Sequence, residues 1–194
     1  MTTSASWSST PEPRPESDAV RTLWDRQQIN DALLRYCRGI DRCDEELILS
    51  AYHPDARDDH GVFVGTAAEF SAWAVAGLLR VVQSTTHELS NVMIEVNGDT
   101  ARAESLFVGS HVQDTDEGIT VNQFHGRYLD VLTFRNDRWA IEERRTVYDW
   151  TESRSTQRTH PADDPRFAHG SRSRTDPVYV GWERWSGASN GVGR

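Results

Sequence analysis

From Ala19 to Arg42 apolar residues recur at helical spacing, with Leu23, Ile29, Leu33, Tyr36, Cys37 and Ile40 near one face, no proline and one late glycine. That pattern predicts a long amphipathic helix opened by Ser17 or Asp18. A short second helix is expected at about residues 44–51, ended by a turn at His53-Pro54, because proline drives the residue before it out of helical conformation. Phe63 to Gly65 is a brief strand candidate, and residues 66–83, with Phe70, Trp73, Ala74, Gly77, Leu78 and Val81, predict a third helix. After Gln83 the period changes. Four runs with strand character follow: Thr86 to Val96, Thr100 to Gln113, Ile119 to Arg135 and Trp139 to Tyr148. Asn97-Gly98-Asp99, Asp114 to Gly118 and Asn136-Asp137 separate them, which is hairpin punctuation between adjacent antiparallel strands. Three helices followed by a meander predict an α+β domain in which one curved sheet wraps over three N-terminal helices.

The chain has 194 residues, enough for one core with extra terminal segments. Residues 1–18, rich in Ser, Thr and Pro, read as a disordered N-terminal segment and lack the apolar stretch of a signal peptide. Residues 19–150 form the domain, and residues 151–194 read as a mostly irregular extension. The aromatic group Tyr179, Trp182 and Trp185 in that extension is expected to pack against apolar surface, of this chain or of a neighbouring subunit. No apolar run reaches the roughly 18 residues of a membrane span, so no membrane partner is expected and a cytoplasmic location fits.

Charge narrows the partners further. With 21 basic and 30 acidic residues the net charge is −9, which argues against nucleic acid. Every basic residue is Arg. The absence of Lys excludes a Schiff-base lysine, a pyridoxal-phosphate anchor and a Walker lysine. Cys37 and Cys43 have no second pair, so they form neither a zinc framework nor a disulfide scaffold, and Cys37 reads as a small buried hydrophobe.

The first helix carries the candidate chemistry. At about 100° per residue, Asp41 falls about 40° from Cys37, inside the apolar arc. A carboxylate there needs a partner, since an unpaired buried charge costs several kcal/mol. It reads either as a structural or capping residue beside Arg42, or as half of a functional pair. His87 begins a strand, and alternation places it on the face of Leu89, Asn91 and Met93. It is either a satisfied core histidine or the partner of Asp41. In the second case, an Asp accepting from one imidazole nitrogen fixes the tautomer and makes the other nitrogen a better base.

The order Tyr36-x4-Asp41, a helix, Thr86-His87 with Asn91, and strands ending in Trp139-Ala140-Ile141 and Arg144 resembles the SnoaL-like branch of the nuclear-transport-factor-2-like superfamily over about residues 19–150. The resemblance implies a cone-shaped barrel with an apolar cavity. It places a catalytic Asp on Asp41, a basic His on His87, a Tyr on Tyr36, an Arg on Arg144 and a second His on His111. Several members of that branch carry out eliminations in which a His removes a proton beside a leaving group. The implied activity is a cofactor-independent lyase, dehydratase-like, on a hydrophobic hydroxylated cyclic molecule such as a steroid or polyketide. An isomerase or cyclase using the same pocket, or a non-catalytic binding module, is the alternative.

Elimination suits these side chains. Neutral imidazole is a fitting base near neutral pH, Tyr36 can donate to a carbonyl or a departing hydroxyl, and Arg144 can stabilise developing negative charge. Arg144 reads equally as part of a surface ion pair in Glu142-Glu143-Arg144-Arg145. Neither a metal nor a redox cofactor is required. His125 lines the cavity if its strand face is concave, and Trp73 and Phe107 are expected among the residues that shape it, with Asn91 beside His87. The run His53-Pro54-Asp55-Ala56-Arg57-Asp58-Asp59-His60 contains metal-ligand types but reads as a solvated turn. A homodimer or homotrimer is expected, because an exposed sheet face in a small cone tends to find a partner.

Overall fold

The computed structural model describes residues 13–116, 118–157 and 164–180. Helix α1 (Asp18–Arg42) buries Ile29, Ala32, Leu33, Tyr36, Cys37 and Ile40 of the face its spacing predicts, while Leu23, expected on the same face, is exposed in the second turn. Its end is closed by backbone: Cys43 takes a left-handed conformation, and the N–H groups of Cys43 and Asp44 reach the carbonyls of Ile40 and Gly39. Asp41 is therefore not spent on capping. Helix α2 (Glu45–Ser50) starts at Asp44, whose carboxylate accepts from the Leu47 N–H at 3.1 Å. The two helices touch at Gly39, where a Cβ would stand 2.7 Å from Ile48. Helix α3 (Ala67–Val81) opens with a reciprocal cap between Thr66 and Glu69.

The sheet has six strands, β1 (Tyr52–Asp59), β2 (Val64–Thr66), β3 (Ser84–Asn97), β4 (Thr100–Thr115), β5 (Gly118–Arg135) and β6 (Arg138–Thr156), in the order β2-β1-β6-β5-β4-β3. Strands β3 to β6 form the expected antiparallel meander. Two features differ from the expectation. The sheet is unclosed, with β2 and β3 as edges, and β1 runs parallel to β6. The segment read as a turn after His53-Pro54 is that strand β1. Its exposed acidic residues and Pro54 disguise it, because both are depleted in strands, yet Ala56, Asp58 and His60 are buried in strict alternation. Bulges in β3, between β5 and β6 at His125/Gly126, and at Val131/Leu132 accompany the curvature that wraps the sheet around α1 and α3. Tyr36, Tyr52, Tyr128, Leu132, Trp139 and Ile141 fill the space between.

The described residues that flank the domain are fastened more firmly than the sequence suggests. Ahead of α1, Arg14 donates to both carboxylate oxygens of buried Asp25, at 2.9 and 2.7 Å, and to Asp99. Strand β6 continues to Thr156, past the expected end at Tyr148, because its exposed polar residues still pair with β5. Residues 164–180 contain turns and no helix or strand. Tyr179 docks through its hydroxyl on Asp44, at 2.6 Å, with the Arg174 guanidinium over its ring, a polar seat in place of the expected apolar one. Trp182 and Trp185 lie outside the described residues. Among the described residues, no helix is long and apolar enough to cross a membrane.

Candidate active site

Asp41, at the C-terminal end of α1, faces the start of β3. Its Oδ1 lies 2.7 Å from the Nδ1 of His87, and its Oδ2 accepts the backbone N–H of the same residue at 3.0 Å. Two bonds to one residue fix the imidazole with Nδ1 toward the carboxylate and Nε2 turned away. His87 pairs with Gly109 on β4, and a Cβ at Gly109 would stand 3.2 Å from Nε2. The glycine keeps the wall beside the basic nitrogen low.

His87 opens on a cavity of about 310 Å³ between α1, α3 and the concave face of the sheet. Tyr36, Trp73, Phe107 and His111 line the same cavity, together with Phe70, Leu78, Phe124 and Tyr128. A larger, open groove of about 700 Å³ is bordered by charged residues such as Arg57, Glu95, Arg102 and Glu143, and includes none of Tyr36, His60 or His87. The smaller cavity has the makings of a site, since its apolar wall carries a few converging polar groups. Phe107 stacks on Tyr128 at 4.3 Å, and Trp73 packs on Phe63 with half its surface exposed. The His111 ring centre lies 6.1 Å from that of His87. Burial first, then the neighbouring His87 and Arg172, push His111 down to about 4, so it stays neutral near pH 7.

Three expected site residues sit elsewhere. Asn91 occupies a bulge in β3 with φ of 48°, is exposed, and shifts the alternation so that Val92 and Ile94 turn inward while Met93 faces out. His125 points away from the cavity because its neighbour Phe124 and the same-face Tyr128 take the concave side, and it stacks on Trp150 at 3.7 Å. Arg144 is neither a surface residue nor part of the cavity around His87; it is buried and borders the larger groove. Its side chain is fully buried, bound to both oxygens of Asp130 at 2.7 and 2.8 Å, with the guanidinium 4.0 Å from the Tyr36 ring centre and 4.2 Å from that of Tyr128. Burial works against its charge, and Asp130 with the adjacent tyrosines outweighs that, so the group is held firmly protonated. It supports the floor under Tyr36 through a cation–π contact rather than meeting a bound molecule.

Two residues of the cavity region escaped the sequence reading. His60 lines the cavity, stacked on Phe70 at 4.2 Å, and its Nε2 lies 3.1 Å from the Tyr36 hydroxyl. Its Nδ1 is hydrogen-bonded to buried Asp58, which also accepts from the Tyr52 hydroxyl at 2.6 Å. The signal was the alternation Ala56-x-Asp58-x-His60, which puts a carboxylate and an imidazole on one strand face. Burial pushes the Tyr36 hydroxyl well above its ordinary range, so the phenol keeps its proton. Burial likewise drives the Cys37 thiol up to about 12, which leaves it a packing residue. No group of three or more His, Cys, Asp or Glu among the described residues is arranged to hold a metal.

An open curved sheet around three helices encloses an apolar pocket. The chain belongs to the SnoaL-like domain family, whose model matches residues 21–145. A hexachlorocyclohexane dehydrochlorinase from Novosphingobium barchaimii is similar in structure, with a TM-score of 0.63 and 17% identity over 72% of this chain and 97% of that one. A scytalone dehydratase-like protein from Novosphingobium aromaticivorans gives 0.60 and 17%, over 74% and 96%. A nuclear-transport-factor-2-like protein from Salmonella enterica gives 0.58 and 20%, over 66% and 92%. At these identities the likeness is one of fold. No curated protein matches the chain in sequence.

Proposed function

We propose that the protein is a lyase of dehydratase type, acting without a cofactor on a hydrophobic, hydroxylated, cyclic small molecule such as a steroid or polyketide. The observation that carries this reading is His87, clamped at Nδ1 by Asp41 while the rest of its ring borders an apolar cavity. Nε2 takes a proton from the carbon beside a carbonyl, and the Asp41 carboxylate stabilises the imidazolium that results. The Tyr36 hydroxyl donates to the oxygen that leaves. His111, neutral and on the same wall, adds a hydrogen-bonding group without a competing charge. A binding module has little reason to hold an Asp–His pair at the edge of its pocket. The names of the dehydrochlorinase and dehydratase-like neighbours agree in reaction type with this reading.

A panel of β-hydroxy ketones, hydroxylated steroids and polyketides tests it by mass spectrometry. The expected result is a product lighter by one water. Isomerisation at constant mass makes the protein an isomerase or cyclase, and tight binding without conversion of any member makes it a binding module.

A further inference from the structure

The elimination so described uses His87 and Asp41 as base and leaves unexplained a second Asp–His pair, Asp58 and His60, of which His60 borders the same cavity. Asp58 and His60 come from β1 and the residue just after it, and β6, β5 and β4 separate β1 from the dyad's strand β3 in the sheet. Asp58 has no exposed side-chain surface and is held on two sides, by the Tyr52 hydroxyl and by the imidazole of His60. The other nitrogen of His60 meets the Tyr36 hydroxyl at 3.1 Å, and both His60 and Tyr36 border the cavity. The order Asp58, His60, Tyr36, cavity is a continuous hydrogen-bonded chain that ends where a bound molecule would lie.

We propose that Asp58 and His60 form a proton relay behind Tyr36, which makes Tyr36 the general acid for the departing oxygen while His87 is the base. This rests on the elimination reading of the cavity. An ionised Asp58 accepts from His60 Nδ1–H, so Nε2 faces Tyr36. With His60 neutral, the Tyr36 hydroxyl donates to Nε2 and has no proton to offer the cavity. With His60 protonated, Nε2–H donates to the Tyr36 oxygen, and the phenolic proton is free to turn toward the substrate.

The step then balances. His87 takes the proton from carbon, the new C=C forms as the C–O bond breaks, the leaving oxygen takes the Tyr36 proton, and Tyr36 takes the proton of His60 Nε2. Water departs, His87 is left protonated and His60 neutral. Return of one proton from His87 to His60 through solvent resets the site. Splitting acid and base between two separately oriented imidazoles removes the need for one group to do both tasks in a single encounter. In this scheme His60 and Asp58 are positioning residues, and of the three relay members Tyr36 alone touches the substrate.

Leaving-group dependence tests the relay. A β-hydroxy ketone needs an acid for hydroxide to leave, whereas the matching β-(4-nitrophenoxy) ketone releases a stable anion without one. Tyr36→Phe and His60→Gln should each lose about tenfold or more in kcat on the hydroxy ketone relative to their loss on the aryloxide, and His87→Ala should lose both reactions. Equal losses on the two substrates in Tyr36→Phe and His60→Gln overturn the relay. Retention of both reactions by His87→Ala, or no elimination by the wild type, overturns the elimination reading instead. A second measurement decides the relay without any substrate, using ¹⁵N-histidine-labelled full-length protein. Neutral His60 should be the Nδ1–H tautomer, with an Nε2 resonance that shifts in Tyr36→Phe while those of His87 stay in place. An Nε2–H tautomer, or an Nε2 resonance indifferent to Tyr36→Phe, overturns it.

Discussion

Asp41 accepts two hydrogen bonds from His87, one from its backbone N–H at 3.0 Å and one from its imidazole Nδ1 at 2.7 Å. The backbone bond ties the end of α1 to the start of β3, and the side-chain bond orients the ring. One carboxylate thus sets both where the strand begins and which imidazole nitrogen is left for chemistry. With side-chain exposures of 13% for Asp41 and 9% for His87 the pair is largely buried, and its bond to Nδ1 gives it an orienting role beside any contribution to stability.

Asp41→Asn tests that division. The amide keeps the shape and can still accept the backbone N–H, but it no longer stabilises an imidazolium and offers His87 a donor in place of one acceptor oxygen. Turnover should fall by about 10²–10⁴-fold with the melting temperature changed little. Loss of folding with activity per folded molecule unchanged would make Asp41 a structural residue.

Gly109→Ala puts a methyl group 3.2 Å from His87 Nε2. The expected result is a fall in kcat of about 10–100-fold, since small displacements at a reacting atom are expensive, with a circular dichroism spectrum like that of the wild type. Unaltered kcat would mean that Nε2 does not face the reacting carbon.

The Arg144–Asp130 pair is a structural element with a large penalty for breaking. Asp130→Ala leaves a fully buried guanidinium without its carboxylate and should destabilise the fold by about 3–5 kcal/mol in urea denaturation. A loss below about 1 kcal/mol would show that water or another acceptor reaches Arg144.

His111 links pH to stability. Its folded pKa of about 4 lies below the ordinary 6.5 expected in the unfolded chain, with burial the main cause. Between these values the unfolded chain binds more protons, so stability is lost as pH falls from about 6.5 toward 4. His111→Gln removes that contribution, and its melting temperature should depend less on pH across this window. Identical slopes for variant and wild type would assign the acid sensitivity to other groups.

The extension beyond β6 should contribute to stability through Arg172, which donates to the carbonyls of Leu78 and Val82 at the end of α3. Arg172→Ala is expected to cost about 1–3 kcal/mol, the worth of hydrogen bonds from a charged donor. Unchanged denaturation would show that these contacts are incidental.

How much of this was legible in the sequence follows from which residues carry periodic information. The α1 face and the meander announce themselves because their apolar positions recur at one period. Asp41 was visible because a charge inside an apolar arc is anomalous, and His87 because it stands on the matching strand. Strand β1 was hidden by Pro54 and by outward-facing acidic residues, and with it Asp58 and His60 were lost. The Asn91 bulge could not be seen because alternation continues unbroken in the letters while the backbone skips a residue. His125 and Arg144 depend on which face of a strand is concave and on a partner 14 residues away, Asp130, which no local pattern names.

The central claim, that His87 is the base of an elimination, is tested most directly by His87→Ala on whichever member of the hydroxy-ketone panel the wild type dehydrates. The account predicts a loss in kcat of about 10²–10⁴-fold, with the melting temperature and ligand dissociation constant close to those of the wild type. Dehydration at the wild-type rate by a folded His87→Ala protein would contradict it.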